Sequence, residues 1–201
     1  MPTSLLSLRA PLILASQSPR RRALLEQTNT SFTVEVSPAE ETLDQSAPPA
    51  ETARLLADKK ATPIAQRTPK ALVLAADTIV IHDNTILEKP ATAEEATAML
   101  HRLSGSTHSV YTGMALHHAA SDRTVTTGEE TEVAFASLRS DEIASYVDSG
   151  SPMDKAGGYG IQDHTAPLFV ERLHGDYYNV VGLPLRRLYT TLREEFEDLL
   201  V

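Results

Sequence analysis

The sequence predicts an α/β protein built on a mixed sheet flanked by helices. Three observations carry that expectation. Short apolar runs such as Ala71 to Ala76 suit strands covered on both faces. Segments with helical spacing and recognisable start and stop signals lie between these runs. No internal repeat or low-complexity tract interrupts the alternation, and 201 residues without a compositional boundary read as a single domain spanning 1–201.

Leu12 to Ala15 reads as a short buried strand. Ser18 is placed to cap a helix over Arg20 to Gln27, with Pro19 at its first position, where the missing N–H costs nothing. Phe32 to Val36 reads as a second strand, and the acidic, proline-bearing Glu40 to Ala50 as a loop. A helix is expected from about Ala50 to Ala61 with Leu55 and Leu56 on its inner face. Pro63 should end or kink it. Ala71 to Ala76, then Ile79 to Ile81 and Ile86 to Glu88 around a "HDNT" turn, read as a strand followed by a hairpin. "TAEE" at Thr92 to Glu95 fits a capping box, so Ala93 to Leu103 should be helix, stopped by Gly105.

Strands are expected over His108 to His117 and Glu132 to Leu138, and a helix over Ser140 to Asp148, ended by Gly150. "SPMDKAGGYGIQD" should be an ordered loop or short helix with tight turns. Leu168 to Leu173 and Tyr177 to Val181 read as a last strand pair joined by "HGD". The C-terminal helix starts near Leu183 and repeats Leu185, Leu188, Leu192 and Phe196 at helical spacing.

Composition narrows the function. With 27 acidic against 18 basic side chains, the formal net charge is −9, which argues against sequence-independent nucleic-acid binding. There is no cysteine, so disulfides, thiolate metal sites and thiol nucleophiles are excluded; the cytoplasm is compatible with that. No apolar run approaches a membrane span, and no basic segment precedes the N-terminal apolar stretch as a secretory signal would require. G-x-x-x-x-G-K-[ST], H-E-x-x-H and G-x-S-x-G are all absent.

Within so acidic a chain, "LILASQSPRR" gathers Arg20, Arg21 and Arg22 at the start of a helix. Such runs commonly stay solvated on a surface. Cations here oppose the helix dipole, however, at about 0.3–1 kcal/mol each when nothing compensates. The free backbone donors, with the Ser16 and Ser18 hydroxyls, form an anion site that the arginines would complete. Asp77 follows the longest apolar run and is expected to emerge at a strand's end, where α/β sheets place ligands. A carboxylate there could bind Mg²⁺ or take a proton from water; a hydrogen-bonded turn residue is the ordinary alternative. Glu40, Glu41, Lys59, Lys60, Lys89 and Gln162 are weaker candidates, since solvated side chains of these types are common.

Taken in order, "LILASQSPRR", "AADTIVI", "LEKP", "AEEATAMLHRLSGSTHSVYTG", "TEVAF", "PMDKAGGYGIQ" and "GDYYNVVGLP" run nearly the whole chain. Together they resemble the Maf family of nucleoside triphosphate pyrophosphatases, in the branch acting on dTTP and UTP. The resemblance implies an inosine-triphosphatase-like α/β fold with two lobes around a central cleft. It implies cleavage between the α- and β-phosphates, giving the nucleoside monophosphate and pyrophosphate, with a divalent cation, Mg²⁺ or Mn²⁺. Carried over residue by residue, it makes Asp77 catalytic and assigns the metal to Glu41 and Asp77. It assigns substrate binding to Ser16, Arg20, Arg21, Lys60, Thr78, Lys89 and Gln162, with Arg20, Thr78 and Gln162 at positions tied to base selection. Two departures stand out. Pro63 interrupts a helix that usually runs on, and Asp163–His164 follow Gln162 where a glycine is common.

The resulting expectation is a cationic basin of Arg20, Arg21, Lys60 and Lys89 that holds a triphosphate in an otherwise negative molecule. The expected partner is a small-molecule nucleoside triphosphate, with no nucleic acid and no membrane; a homodimer is allowed. Modified pyrimidine triphosphates, removed before they enter nucleic acid, are a second substrate class. The alternative from another class is a nucleotide-binding regulatory module of growth or division control with little catalysis.

Overall fold

A computed structural model describes residues 5–39 and 47–201. In chain order the elements are β1 (Leu12–Leu14), α1 (Pro19–Glu26), β2 (Thr33–Val34), α2 (Pro49–Arg67), β3 (Leu72–His82), β4 (Thr85–Leu87) and α3 (Ala93–Leu103). They continue with β5 (Thr107–His118), β6 (Arg123–Phe135), α4 (Ser140–Asp148), β7 (Val170–His174), α5 (Tyr177–Val181) and α6 (Leu185–Glu195). Among the described residues the strands form one mixed seven-stranded sheet, ordered β2-β1-β3-β5-β6-β7, with β4 paired to β3. β1 runs parallel to β2 and β3, whereas β4 and β7 are antiparallel to their neighbours. The α/β architecture is therefore as expected. The chain divides into two compact units, residues 1–77, 112–129 and 182–201, and residues 78–111 and 130–181.

In the first unit the core is one cluster of Ile13, Ala15, Val73, Ala75 and Ala115 from the strands with Ala57, Ala61, Ile64 and Ala65 from α2. Alternate strand residues share a face, and Ala53, Ala57, Ala61 and Ala65 recur every fourth residue along α2. This stripe of small side chains lets the helix lie close on the sheet. It lies so close at Gly113 that a Cβ there would meet the Ala53 carbonyl carbon at 2.5 Å and the Arg54 nitrogen at 2.6 Å.

α2 corrects two expectations. It runs through Pro63 to Arg67 instead of stopping near Ala61, and Leu55 is 42% exposed while Leu56 is buried. Pro63 lies half a turn away from Ala61 and Ala65, on the face opposite the sheet. The Lys59 carbonyl that it deprives of a donor sits on an exposed residue, where water can serve it. Burial of Ala61, Ile64 and Ala65 carries the helix across the break. At the far end of the chain Leu188, Leu192 and Phe196 are buried as the spacing of α6 required, and Leu185 is half-buried.

In the second unit the "HDNT" turn behaves as expected. Asp83 and Asn84 take φ of 48° and 56°, the two left-handed residues of a tight hairpin turn, and Val80 pairs with Leu87. The Thr92 side chain accepts the Glu95 amide, while Glu95 Oε2 accepts the Ala91 amide at 2.8 Å. The glycine-rich segment is ordered into two single 3₁₀ turns, Ser151–Asp154 and Ala156–Gly158.

Two further expectations fail. Tyr177 to Val181 is helix, not strand, because Asp176 acts as a cap: its Oδ1 accepts the Tyr178 amide at 2.7 Å. The helix turns Asn179 inward, where its amide donates to Val110 O and Thr131 Oγ1, each at 2.9 Å. β6 ends at Phe135 and begins at Arg123, well before Glu132. Its early residues alternate between exposed and half-buried positions and so lacked the apolar signal that marks a buried strand.

His108 is the unusual residue of this core. It is 3% exposed, its Nε2 shares a hydrogen with the Tyr159 hydroxyl at 2.7 Å, and its Nδ1 has no partner. Phe135 and Tyr159 stand edge-on to its ring. Burial, with a smaller push from His82, lowers the imidazole to about 4. The folded state thus resists a proton that the unfolded chain accepts below its ordinary value near 6.5. Stability contributed by the neutral ring is present above that value and is lost as pH falls toward 4.

Three outcomes follow. Gly113→Ala should lower stability by about 2–3 kcal/mol and the melting temperature by about 5–10 °C. Gly150→Ala, where the added carbon meets nothing and only the φ of 74° is unfavourable, should cost about 1 kcal/mol. In urea unfolding, the loss of stability between pH 7.5 and 5 should be about 2 kcal/mol smaller for His108→Gln than for the unaltered protein.

Candidate active site

The period-two alternation that packs Val73 and Ala75 against α2 carries on to Asp77 and turns its carboxylate to the same helix. Lys60 lies on the sheet-facing side of α2, beside Ala57, Ala61 and Ile64. The two meet: Lys60 Nζ donates to Asp77 Oδ1 at 2.5 Å, with side chains 10% and 12% exposed. Asp77 Oδ2 accepts no hydrogen bond among the described residues.

Asp77 does not stand at the end of its own strand, since β3 continues unbroken to His82. It stands past the end of the neighbour instead. β1 pairs with β3 through Leu14 and Leu74, and the last ladder bond runs from the Ala15 amide to Leu74 O at 2.7 Å. β4 joins β3 only from Val80. Asp77 therefore occupies the interval just beyond the carboxyl end of the parallel strands, where such sheets leave room for ligands.

Into that interval β1 releases the segment Ser16 to Ser18. Ser16 is buried, and its Oγ accepts the Ser18 amide at 3.2 Å. Ser18 caps α1 through the Arg21 amide at 3.4 Å, and Pro19 takes the first position, both as expected. The first turn of α1 holds no acidic residue. Arg21 folds back over it: its guanidinium donates to Ser16 Oγ at 3.4 Å and, through Nε, to the Gly182 carbonyl at 2.8 Å. Arg20 is half-buried, whereas Arg22 is exposed and pairs with Glu26 at 2.8 Å. Of the three arginines, then, Arg22 is the ordinary surface residue. Gly182 escaped sequence reading because its carbonyl is any residue's carbonyl, 161 positions away from Arg21.

The first unit thus brings together Ser16, Arg21, Lys60 and Asp77 at one end of the parallel strands. Glu41, like Glu40, lies outside the described residues. Among the described residues no three acidic or histidine side chains gather as a metal cage. The donor set is one largely buried carboxylate with a free oxygen. That fits a hard divalent cation taking its remaining ligands from water and substrate phosphates, as Mg²⁺ usually does.

The other three candidates belong to the second unit and are described there. Thr78 is half-buried in β3, and Lys89 and Gln162 are exposed. Lys89 follows Glu88, whose carbonyl accepts the Gly157 amide at 3.1 Å. Gly157 takes φ of 70° and lies against Val80, where a Cβ would come within 2.9 Å of Cγ1. Gly157 of "KAGGYG" thus allows the close approach of loop to strand.

Replacing Lys60 by Met would leave the Asp77 carboxylate buried without its partner, at a cost of about 3–5 kcal/mol. Adding Asp77→Leu should recover most of that stability, which urea midpoints of the single and double variants will show.

Across residues 11–195 the chain matches the family described as Maf-like protein. It is 63% identical over 196 residues to the dTTP/UTP pyrophosphatase of Salinibacter ruber, covering 98% of this chain and 96% of that one. To the dTTP/UTP pyrophosphatase of Bacillus cytotoxicus it is 50% identical over 182 residues, 90% of this chain and 94% of the relative. The protein of the same name from Bacillus cereus is 47% identical over 183 residues, 91% and 94% of the two chains. Motifs that run in order through the sequence, an α/β sheet that sets them on their strands, and relatives matched over nearly their full length agree: the chain belongs to the Maf family.

Proposed function

We propose that this protein is a nucleoside triphosphate pyrophosphatase that hydrolyses dTTP and UTP to the monophosphate and pyrophosphate. One observation carries the reading. In a chain 63% identical to a dTTP/UTP pyrophosphatase, a buried carboxylate–ammonium pair stands past the carboxyl end of the parallel strands, beside a serine- and arginine-bearing helix start.

The surroundings of Ser16, Arg21, Lys60 and Asp77 support a part for each. The positive end of α1, with the Ser16 hydroxyl and the Arg21 guanidinium, binds phosphate oxygens. Arg21 is held by the Gly182 carbonyl, so its planar fork is oriented before substrate arrives. Lys60 fixes Asp77 by one oxygen and leaves Oδ2 to accept a hydrogen bond from the water that attacks the α-phosphorus. Asp77 and Glu41 would hold a divalent cation, Mg²⁺ or Mn²⁺, which supplies neutralisation of the phosphate charge. Lys89 is assigned to phosphate binding, and Arg20, Thr78 and Gln162 to base selection. Little covalent work falls to the protein, so orientation and charge neutralisation account for most of the rate. Removal of modified pyrimidine triphosphates before they enter nucleic acid is the housekeeping role that suits this activity, in the cytoplasm and with no nucleic-acid partner.

Pyrophosphate release from a panel of triphosphates with Mg²⁺ or Mn²⁺ tests the reading. Activity on dTTP and UTP should exceed that on ATP and GTP by about tenfold or more. Asp77→Asn should reduce turnover by about a thousandfold or more while nucleotide still binds. Lys89→Ala should cost about a hundredfold in turnover. An Asp77→Asn protein of near-normal rate would remove the central assignment.

A further inference from the structure

The second unit contains a hydrogen-bonded chain that the phosphate chemistry does not use. Tyr146 of α4 is 1% exposed. Its hydroxyl accepts the Gly160 amide at 3.2 Å and donates to Asp163 Oδ2 at 2.6 Å. Lys155 Nζ stands 3.4 Å from the same oxygen and donates to Ser151 O at 2.5 Å and Asp154 Oδ1 at 2.6 Å. The remaining oxygen, Asp163 Oδ1, accepts from Gln162 Nε2 at 3.3 Å. Gly160 closes the arrangement: a Cβ there would come within 2.7 Å of both Gln162 Nε2 and Lys155 Cε.

The polarity of this chain is fixed from end to end. A carboxylate only accepts, so the Gln162 amide must turn its nitrogen toward Asp163. Its carbonyl oxygen is left outward and accepts no hydrogen bond among the described residues. Tyr146 spends its one proton on Asp163 and uses a lone pair for Gly160. Burial and the bond to Asp163 push its phenol well above the usual tyrosine range, so it remains a donor. The exposed face of Gln162 therefore offers an acceptor and one remaining amide hydrogen in a set order.

We propose that Asp163 is a positioning residue for base selection: held by Tyr146 and Lys155, it locks the Gln162 carboxamide with its oxygen outward and so sorts pyrimidines by hydrogen-bond polarity. This rests on the reading above in which Gln162 meets the base. Uracil and thymine present an N3–H donor beside a carbonyl acceptor, complementary to the locked amide. Cytosine presents the reverse, an N3 acceptor beside an amino donor, and sets lone pair against lone pair. The aspartate that replaces the usual glycine after Gln162 thereby acquires a task.

Asp163→Asn tests it. Asparagine can both donate and accept, so the Gln162 amide is free to turn over. The kcat/KM preference for UTP over CTP should fall about tenfold, dTTP following UTP. The change should lie mainly in KM, with kcat for UTP kept within about twofold. Tyr146→Phe, which removes only the proton given to Asp163, should move the same ratio in the same direction by less. Equal losses on all three substrates, or a preference unchanged in both variants, would overturn the lock, because a merely structural defect moves every substrate together. Gln162→Ala separates the two levels. If it loses the preference while Asp163→Asn keeps it, the lock alone fails. If it keeps the preference, Gln162 does not read the base, and the lock falls with that assignment.

Discussion

The Lys60–Asp77 pair is the interaction on which the rest of this structure turns. Desolvating two opposite charges costs several kcal/mol for each, and their mutual attraction does little more than return it. A core packed with alanines would have been simpler to fill with two more apolar side chains. The pair sits instead on the face of α2 that its alanine stripe packs against the sheet, with both side chains nearly withdrawn from water. Close packing and the ammonium together hold one carboxylate oxygen in place.

On the proposed function, the same unit would resolve the mismatch between a net charge of −9 and a polyanionic substrate. Repulsion from the whole surface is a long-range effect, and salt screens it beyond about 8–10 Å. On the proposed reading, what a phosphate would meet at short range is different: the positive end of α1, a guanidinium tied to a carbonyl, and an ammonium. Arg22, turned outward and neutralised by Glu26, shows that the local cluster is selective. Only those arginines that fold back toward Ser16 or remain half-buried belong to it.

Much of this was legible in the sequence, for physical reasons that can be named. The cap at Ser18, the hairpin at Asp83–Asn84 and the stop at Gly105 rest on local stereochemistry, and they stand as read. The strand at Leu12–Leu14 and the buried first half of β3 followed from apolar runs alone. What sequence reasoning misjudged was decided by distant contacts. Pro63 did not end its helix, because the face it disturbs is the wet one. Tyr177 to Val181 became helix because the Asp176 cap is joined by contacts that Asn179 makes on two strands. Asp77 looked like a strand terminus, but what ends there is its neighbour, and a neighbour's length is invisible in a residue's own segment. The grip of Gly182 on Arg21 and the chain from Tyr146 to Gln162 have no signature at any fixed spacing.

The anchoring of Arg21 by Gly182 has a consequence for the order of folding. The carbonyl that orients the guanidinium lies 161 positions farther along the chain, so that long loop must close before the side chain is fixed. The pairing of β1 with β3 does not need that contact. A partly folded chain can therefore carry the parallel strands and still hold an unaligned arginine.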